Sequence, residues 1–87
     1  MAYHVYVLKS REGYRYVGST GNLLQRLTDH NGGRNHATKH GSGWNIIHQE
    51  EFETRGEAMK REKWLKTGAG RQWLERNIAG WSPPMAE

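Results

Sequence analysis

The stretch Tyr3-His4-Val5-Tyr6-Val7-Leu8-Lys9-Ser10-Arg11-Glu12-Gly13-Tyr14-Arg15-Tyr16-Val17-Gly18-Ser19 decides the fold. Tyr3 to Lys9 alternates side-chain character as a strand does, and Tyr14 to Ser19 is a second run rich in aromatic and β-branched residues. Ser10 to Gly13 between them reads as a hairpin turn, with Gly13 free to adopt a positive φ. Pairing Ser10 with Tyr14 sets Leu8 opposite Tyr16 and Tyr6 opposite Gly18. Tyr6 and Tyr16 then lie diagonally on one face, within reach of each other. A slip of one residue would put them on opposite faces.

Outward from the hairpin, Asn22 to His30 takes a helical spacing, with Leu23, Leu24 and Leu27 on one side and Asn22 as N-cap. Asn31 to Gly43 holds four glycines and no periodicity, which predicts a loop. Trp44 to Phe52 reads as a third strand. Thr54-Arg55-Gly56-Glu57 has the form of a capping box and opens a helix running to about Lys66. Gly68 and Gly70 are expected to break it, and Arg71 to Ile78 to form a last helix. The expected architecture is α+β, β-β-α-β-α-α: a small three-stranded, mainly antiparallel sheet flanked by helices. One domain over residues 1–79, followed by a flexible tail over 80–87, accounts for the chain, with no internal repeat or linker.

Eighty-seven residues with a 34% hydrophobic fraction allow a single thin core, to which four tryptophans and four tyrosines contribute much of the area. The absence of cysteine excludes disulfides and thiolate metal sites. The N-terminus lacks the pattern of a signal peptide, and no apolar stretch approaches the ~20 residues of a membrane span, so a soluble, cytoplasmic protein without a membrane partner is expected. From Arg55 to Arg76 seven bases face three acids, an excess that equals the whole net charge of +4. Such a block suits a phosphate-facing surface or a solvated helix face.

Several residues stand out. Ala58, Glu62 and Leu65 share one helical face, and a carboxylate there costs free energy unless it is paired. Its partner is an arginine or backbone group, or else a metal ion in a cleft. Arg26 and His30 project from one side of the first helix, an arrangement suited to gripping an oxyanion, although an arginine stem can equally cover a core edge with its head in water. Tyrosine, with a pKa near ~10, is a poor base at neutral pH without help from a nearby cation. His36 and His40, four residues apart, make a zinc site conceivable, but the segment lacks a carboxylate ligand. There is no P-loop, G-x-S-x-G or H-E-x-x-H motif and no dense carboxylate cluster.

His4-Val5-Tyr6 and, ten residues on, Tyr16-Val17-Gly18 resemble the two blocks that name the GIY-YIG nuclease family. Tyr16 to Leu27 is similar to that family's second strand and following helix, with its arginine at Arg26. Glu57-Ala58-Met59-Lys60-Arg61-Glu62 resembles the later helix, whose metal-binding glutamate falls on Glu62. The run from Glu51 to Arg71 looks most like the small stand-alone bacterial members. His4 stands where the family has glycine, Ser19 where some members have lysine, His30 where others have tyrosine, and Asn77 near the family's late asparagine.

The resemblance implies a metal-dependent endonuclease acting on nucleic acid, DNA above all, through one Mg²⁺ or Mn²⁺ held by Glu62. Arg26 would clamp the scissile phosphate. Tyr6, with Tyr16 or His30, would help deprotonate the attacking water. The products would carry a 5′-phosphate and a 3′-hydroxyl. Gly18, Ser19, Lys60, Lys63, Lys66, Arg71 and Asn77 are the expected substrate-binding residues. The alternative is a non-catalytic nucleic-acid-binding module of the same fold. No protein partner is indicated.

Overall fold

The structure, a computed structural model, describes residues 2–33, 38 and 41–81. Strands β1 (Tyr3–Lys9), β2 (Arg15–Thr20) and β3 (Asn45–Phe52) form one antiparallel sheet in the order β2-β1-β3. Helices α1 (Leu23–Asn31), α2 (Arg55–Leu65) and α3 (Gly68–Asn77) complete the α+β order β-β-α-β-α-α that the sequence predicts. The hairpin register is also the expected one: Leu8 pairs with Tyr16 and Tyr6 with Gly18. The Ser10 amide donates to the Tyr14 carbonyl, and Gly13 takes a φ of 100° in the turn.

Alternation along β1 sends Val5 and Val7 to one face and Tyr6 and Leu8 to the other. The valine face packs with Val17, Ala58, Leu65, Leu74, Ile78 and Trp81 beneath α2 and α3. Tyr6, Leu8 and Trp44 pack with Tyr16, Leu23, Leu27 and Ile46 under α1. A bulge in β3 opposite Val7 and Leu8 leaves Ile47 without a partner in the register. It lets Ile47 join the aliphatic cluster while His48 meets the Trp73 ring on the same side. Arg61 latches α2 to this face. Its guanidinium grips Glu50 through two bonds of 2.8 and 3.1 Å and stacks between Trp64 and Trp73. Burial alone would raise the Glu50 carboxyl, but the bonds from Arg61 and His48 outweigh it and hold it below its ordinary value.

Caps define the helices. Asn22 accepts from the Gln25 amide, and Thr54 and Glu57 form the reciprocal capping box. At α3 the structure differs from the sequence reading. Thr67 caps a helix that already begins at Gly68, so the glycines taken as breakers occupy its first turn. Gly70 is there for packing: a Cβ on it would overlap the Trp64 carbonyl and the Leu65 backbone. Trp81, in the segment read as tail, is buried; its carbonyl accepts from Arg15, whose guanidinium lies 4.4 Å from its ring centroid. Residues 82–87, like His36 and His40, lie outside the described residues. Among those described, no helix is long and apolar enough to cross a membrane.

Candidate active site

Because β2 is an edge strand, side chains from both faces of the sheet can meet around it. From the α1 face comes Tyr6, whose hydroxyl lies 2.9 Å from Nε2 of His30. The other ring nitrogen of His30 is 2.7 Å from Oγ1 of Thr38, and the Thr38 carbonyl accepts from the Trp44 indole. This string is almost sealed: Tyr6 is 2% exposed, and His30 and Thr38 are fully buried. Asn31 fixes it from the helix end, exchanging hydrogen bonds of 2.7 and 3.2 Å with the backbone of Trp44. Tyr16 completes the group, its ring 4.8 Å from that of His30 and 6.1 Å from that of Tyr6, centroid to centroid.

Gly18 makes the arrangement possible. A Cβ on it would sit 2.6 Å from the Tyr6 hydroxyl oxygen and 2.8 Å from the Tyr16 ring, closer than real atoms approach. Only glycine lets the two phenols close over the strand.

From the α2 face comes Glu62. Ser19 Oγ donates to one carboxylate oxygen at 2.5 Å, and Lys66 Nζ, one helical turn on, to the other at 2.8 Å. The sequence left Glu62 a choice between an arginine or backbone partner and a metal ion, and these two side chains are its neighbours. Lys66 Nζ also lies 5.8 Å from the Tyr16 ring centroid, which ties the two groups together around the strand edge.

Arg26 and His30, which the sequence places on one side of the first helix, have different surroundings. His30 is buried with both nitrogens engaged, whereas Arg26 is exposed and lines a hollow of about 310 Å³ beside Ser19. Arg26 still acts electrostatically on both buried groups. Burial, with the Tyr16 and Glu62 charges, raises the Tyr6 phenol well above its ordinary range, and Arg26 opposes that rise. Burial and then Arg26 lower His30, so its neutral form dominates at neutral pH.

The other expected residues divide. Lys66 and Arg71 line a second hollow with Arg15, Tyr16 and Trp81. Lys60 and Lys63 are exposed on α2. Asn77 has a local role, its amide donating to the Trp73 carbonyl. Thr38 escaped the sequence reading because nothing in a glycine-rich loop marks one threonine as buried.

Among the described residues no group of three histidine, aspartate or glutamate side chains could hold a metal. Glu62 is a single carboxylate, its side chain 22% exposed, beside a hydroxyl. That donor set fits a hard ion that keeps most of its water. Lys66 is no obstacle: its side chain is 49% exposed, and such i,i+4 pairs contribute only about 0.3–0.5 kcal/mol.

Comparison with known proteins places the chain in a family. The chain is 34% identical over 74 residues to a UPF0213 protein of Staphylococcus haemolyticus, covering 84% of this chain and 90% of that one. It is 44% identical over 62 residues to one of Listeria monocytogenes, covering 70% and 69%. The solution structure of a UPF0213 protein from Bacillus halodurans shares the fold, with a TM-score of 0.55 at 24% identity over 91% of this chain and 88% of that one. Residues 2–76 match the GIY-YIG catalytic domain. The chain therefore belongs to the GIY-YIG catalytic-domain family, whose members generally carry out nuclease-type chemistry.

Proposed function

We propose that this protein is a metal-dependent endonuclease that hydrolyses phosphodiester bonds of nucleic acid, DNA above all, with one Mg²⁺ or Mn²⁺ at Glu62. The observation that carries the reading is the convergence at the β2 edge of three unlike groups. They are a phenol held by a buried imidazole, a guanidinium open to the surface and a partly exposed carboxylate. A core does not need this combination; phosphodiester hydrolysis does.

Arg26 binds the non-bridging oxygens of the scissile phosphate and stabilises the charge they gain in the transition state. Tyr6 enters the reaction as a neutral phenol, because its surroundings hold its pKa high. With the imidazole proton on Nδ1 facing Thr38, Nε2 accepts the Tyr6 hydroxyl. Tyr6 can then take a proton from the attacking water while passing its own to His30. Water oxygen bonds to phosphorus, the bond to the 3′-oxygen breaks, the leaving oxygen takes a proton from solvent, and a 5′-phosphate and a 3′-hydroxyl result, with His30 returning its extra proton to solvent. A divalent ion, when bound, supplies charge stabilisation at the leaving 3′-oxygen. Ser19 orients the Glu62 carboxylate, and Tyr16 covers the His30 ring and keeps water from it.

The test is nicking of plasmid and branched DNA in Mg²⁺ or Mn²⁺. Glu62→Ala is expected to lose about 10²–10³-fold in cleavage while still binding DNA. An unmodified protein that binds but never cuts, whichever metal is offered, would make this a binding module instead.

A further inference from the structure

The hollow beside Ser19 holds more positive charge than the scissile phosphate needs. Arg26 enters it from α1 and Arg55 from the first position of α2, and among the described residues no acidic side chain lines it. Neither guanidinium has a hydrogen-bond or ion-pair partner among the described residues. Two unpaired cations converging on one concavity repel each other until an anion lies between them or beside each. Around them are the Thr20 segment, the Gly21 backbone and the Tyr3 ring, against which a Cβ at Gly21 would stand 3.2 Å away. The volume is at the lower end of the roughly 300–1,000 Å³ of sites that hold small ligands, room enough for a phosphate with its sugar.

The geometry points to a second phosphate subsite in this hollow, held by Arg55, for a backbone phosphate of the same strand that flanks the bond being cut. The inference rests on the proposed function, which already assigns Arg26 to the scissile phosphate and leaves Arg55 unused. Spacing fixes the reach. Arg55 and Glu62 are seven residues apart on α2, a rise of about 10 Å. That reach takes in a near neighbour of the scissile phosphate on the same strand. The hollow with Lys66 and Arg71 lies at the opposite end of the same β2–α2 seam. A strand following the seam therefore meets cations on both sides of the reaction centre. Arg55 thus favours an internal site over a chain end.

The experiment measures binding of a fluorescent 12-nucleotide single strand in EDTA, where nothing is cut, to the wild type, Arg55→Ala, Arg55→Lys and Arg11→Ala. Arg11 is an exposed charge in the hairpin turn, at the other end of β2, and its loss controls for net charge. Arg55→Ala is expected to weaken binding about 5–10-fold and to flatten the salt dependence by about 0.7 in slope, as for one lost phosphate contact. Arg55→Lys recovers part of both, and Arg11→Ala changes affinity less than twofold. Titration with thymidine 3′,5′-bisphosphate should shift the Thr20, Gly21 and Arg55 amide resonances of the wild type and spare those of Thr20 and Gly21 in Arg55→Ala. Equal effects of Arg55→Ala and Arg11→Ala, or shifts confined to residues outside this hollow, overturn the subsite. Absence of cleavage by the wild type counts against the proposed function alone, since the binding comparison stands without it.

Discussion

The two faces of the sheet are made of different materials. Under α2 and α3 the contacts are aliphatic, from Val5, Val7, Val17, Ala58, Leu65, Leu74 and Ile78, closed by Trp81. Under α1 the packing is aromatic, around Tyr6 and Trp44, and it encloses the polar side chains of His30 and Thr38. Each buried hydrogen bond there nets only about 1 kcal/mol and becomes a liability if one partner is lost. A well-packed hydrophobe would stabilise this small chain as well or better. The polar string therefore makes sense as a device that holds the Tyr6 hydroxyl in place. Under the proposed function one face supplies stability and the other chemistry, with Glu62 recruited from the stable side across the β2 edge.

Substitutions that damage one face and spare the other put this division at risk. Leu65→Ala, at a fully buried site of the aliphatic face, should cost about 3 kcal/mol in denaturant titration, with the cleavage rate of the folded fraction unchanged. A matching fall in rate would mean the faces are not separable. Gly18→Ala should do the reverse: kcat falling about 10²-fold because both phenols are pushed aside, with a smaller loss of stability, about 1–2 kcal/mol. A stable Gly18→Ala protein with full activity would remove the close approach from the account.

The smallest effect is a dependence on pH. His30 has its pKa lowered on folding, so the unfolded chain takes up the proton first as pH falls below the usual imidazole value near ~6.5. Its contribution to stability is complete above that value and is lost from there down to the folded pKa. The melting temperature should fall from pH 7.5 to 5.5 more steeply in the wild type than in His30→Asn, and cleavage by the folded protein should fall at lower pH, as the folded imidazole itself takes up a proton. Parallel curves would mean that His30 is not held neutral by its surroundings.

Local and nearest-neighbour signals made much of this legible from sequence. The hairpin register followed from one turn and one glycine, and the capping residues Asn22 and Thr54 marked two helix starts. The Glu62–Lys66 pair is implicit in an i,i+4 spacing. What resisted was long-range. Gly70 reads as a breaker when its purpose is a close approach of α3 to the end of α2. The burial of His30 depends on Thr38 and Trp44, which reach it across a loop without periodicity. Trp81 belongs to the core through Arg15, sixty-six residues earlier, a pairing that no local rule supplies.

The most direct test of one shared reaction centre is a double-mutant cycle on kcat/KM with Tyr6→Phe and Glu62→Gln, read in Mg²⁺. Groups that serve one transition state act as a unit, so the double variant should be little worse than the more damaged single one. If the two losses simply multiply, Tyr6 and Glu62 work independently, and the meeting of the two faces at β2 is not where the chemistry happens.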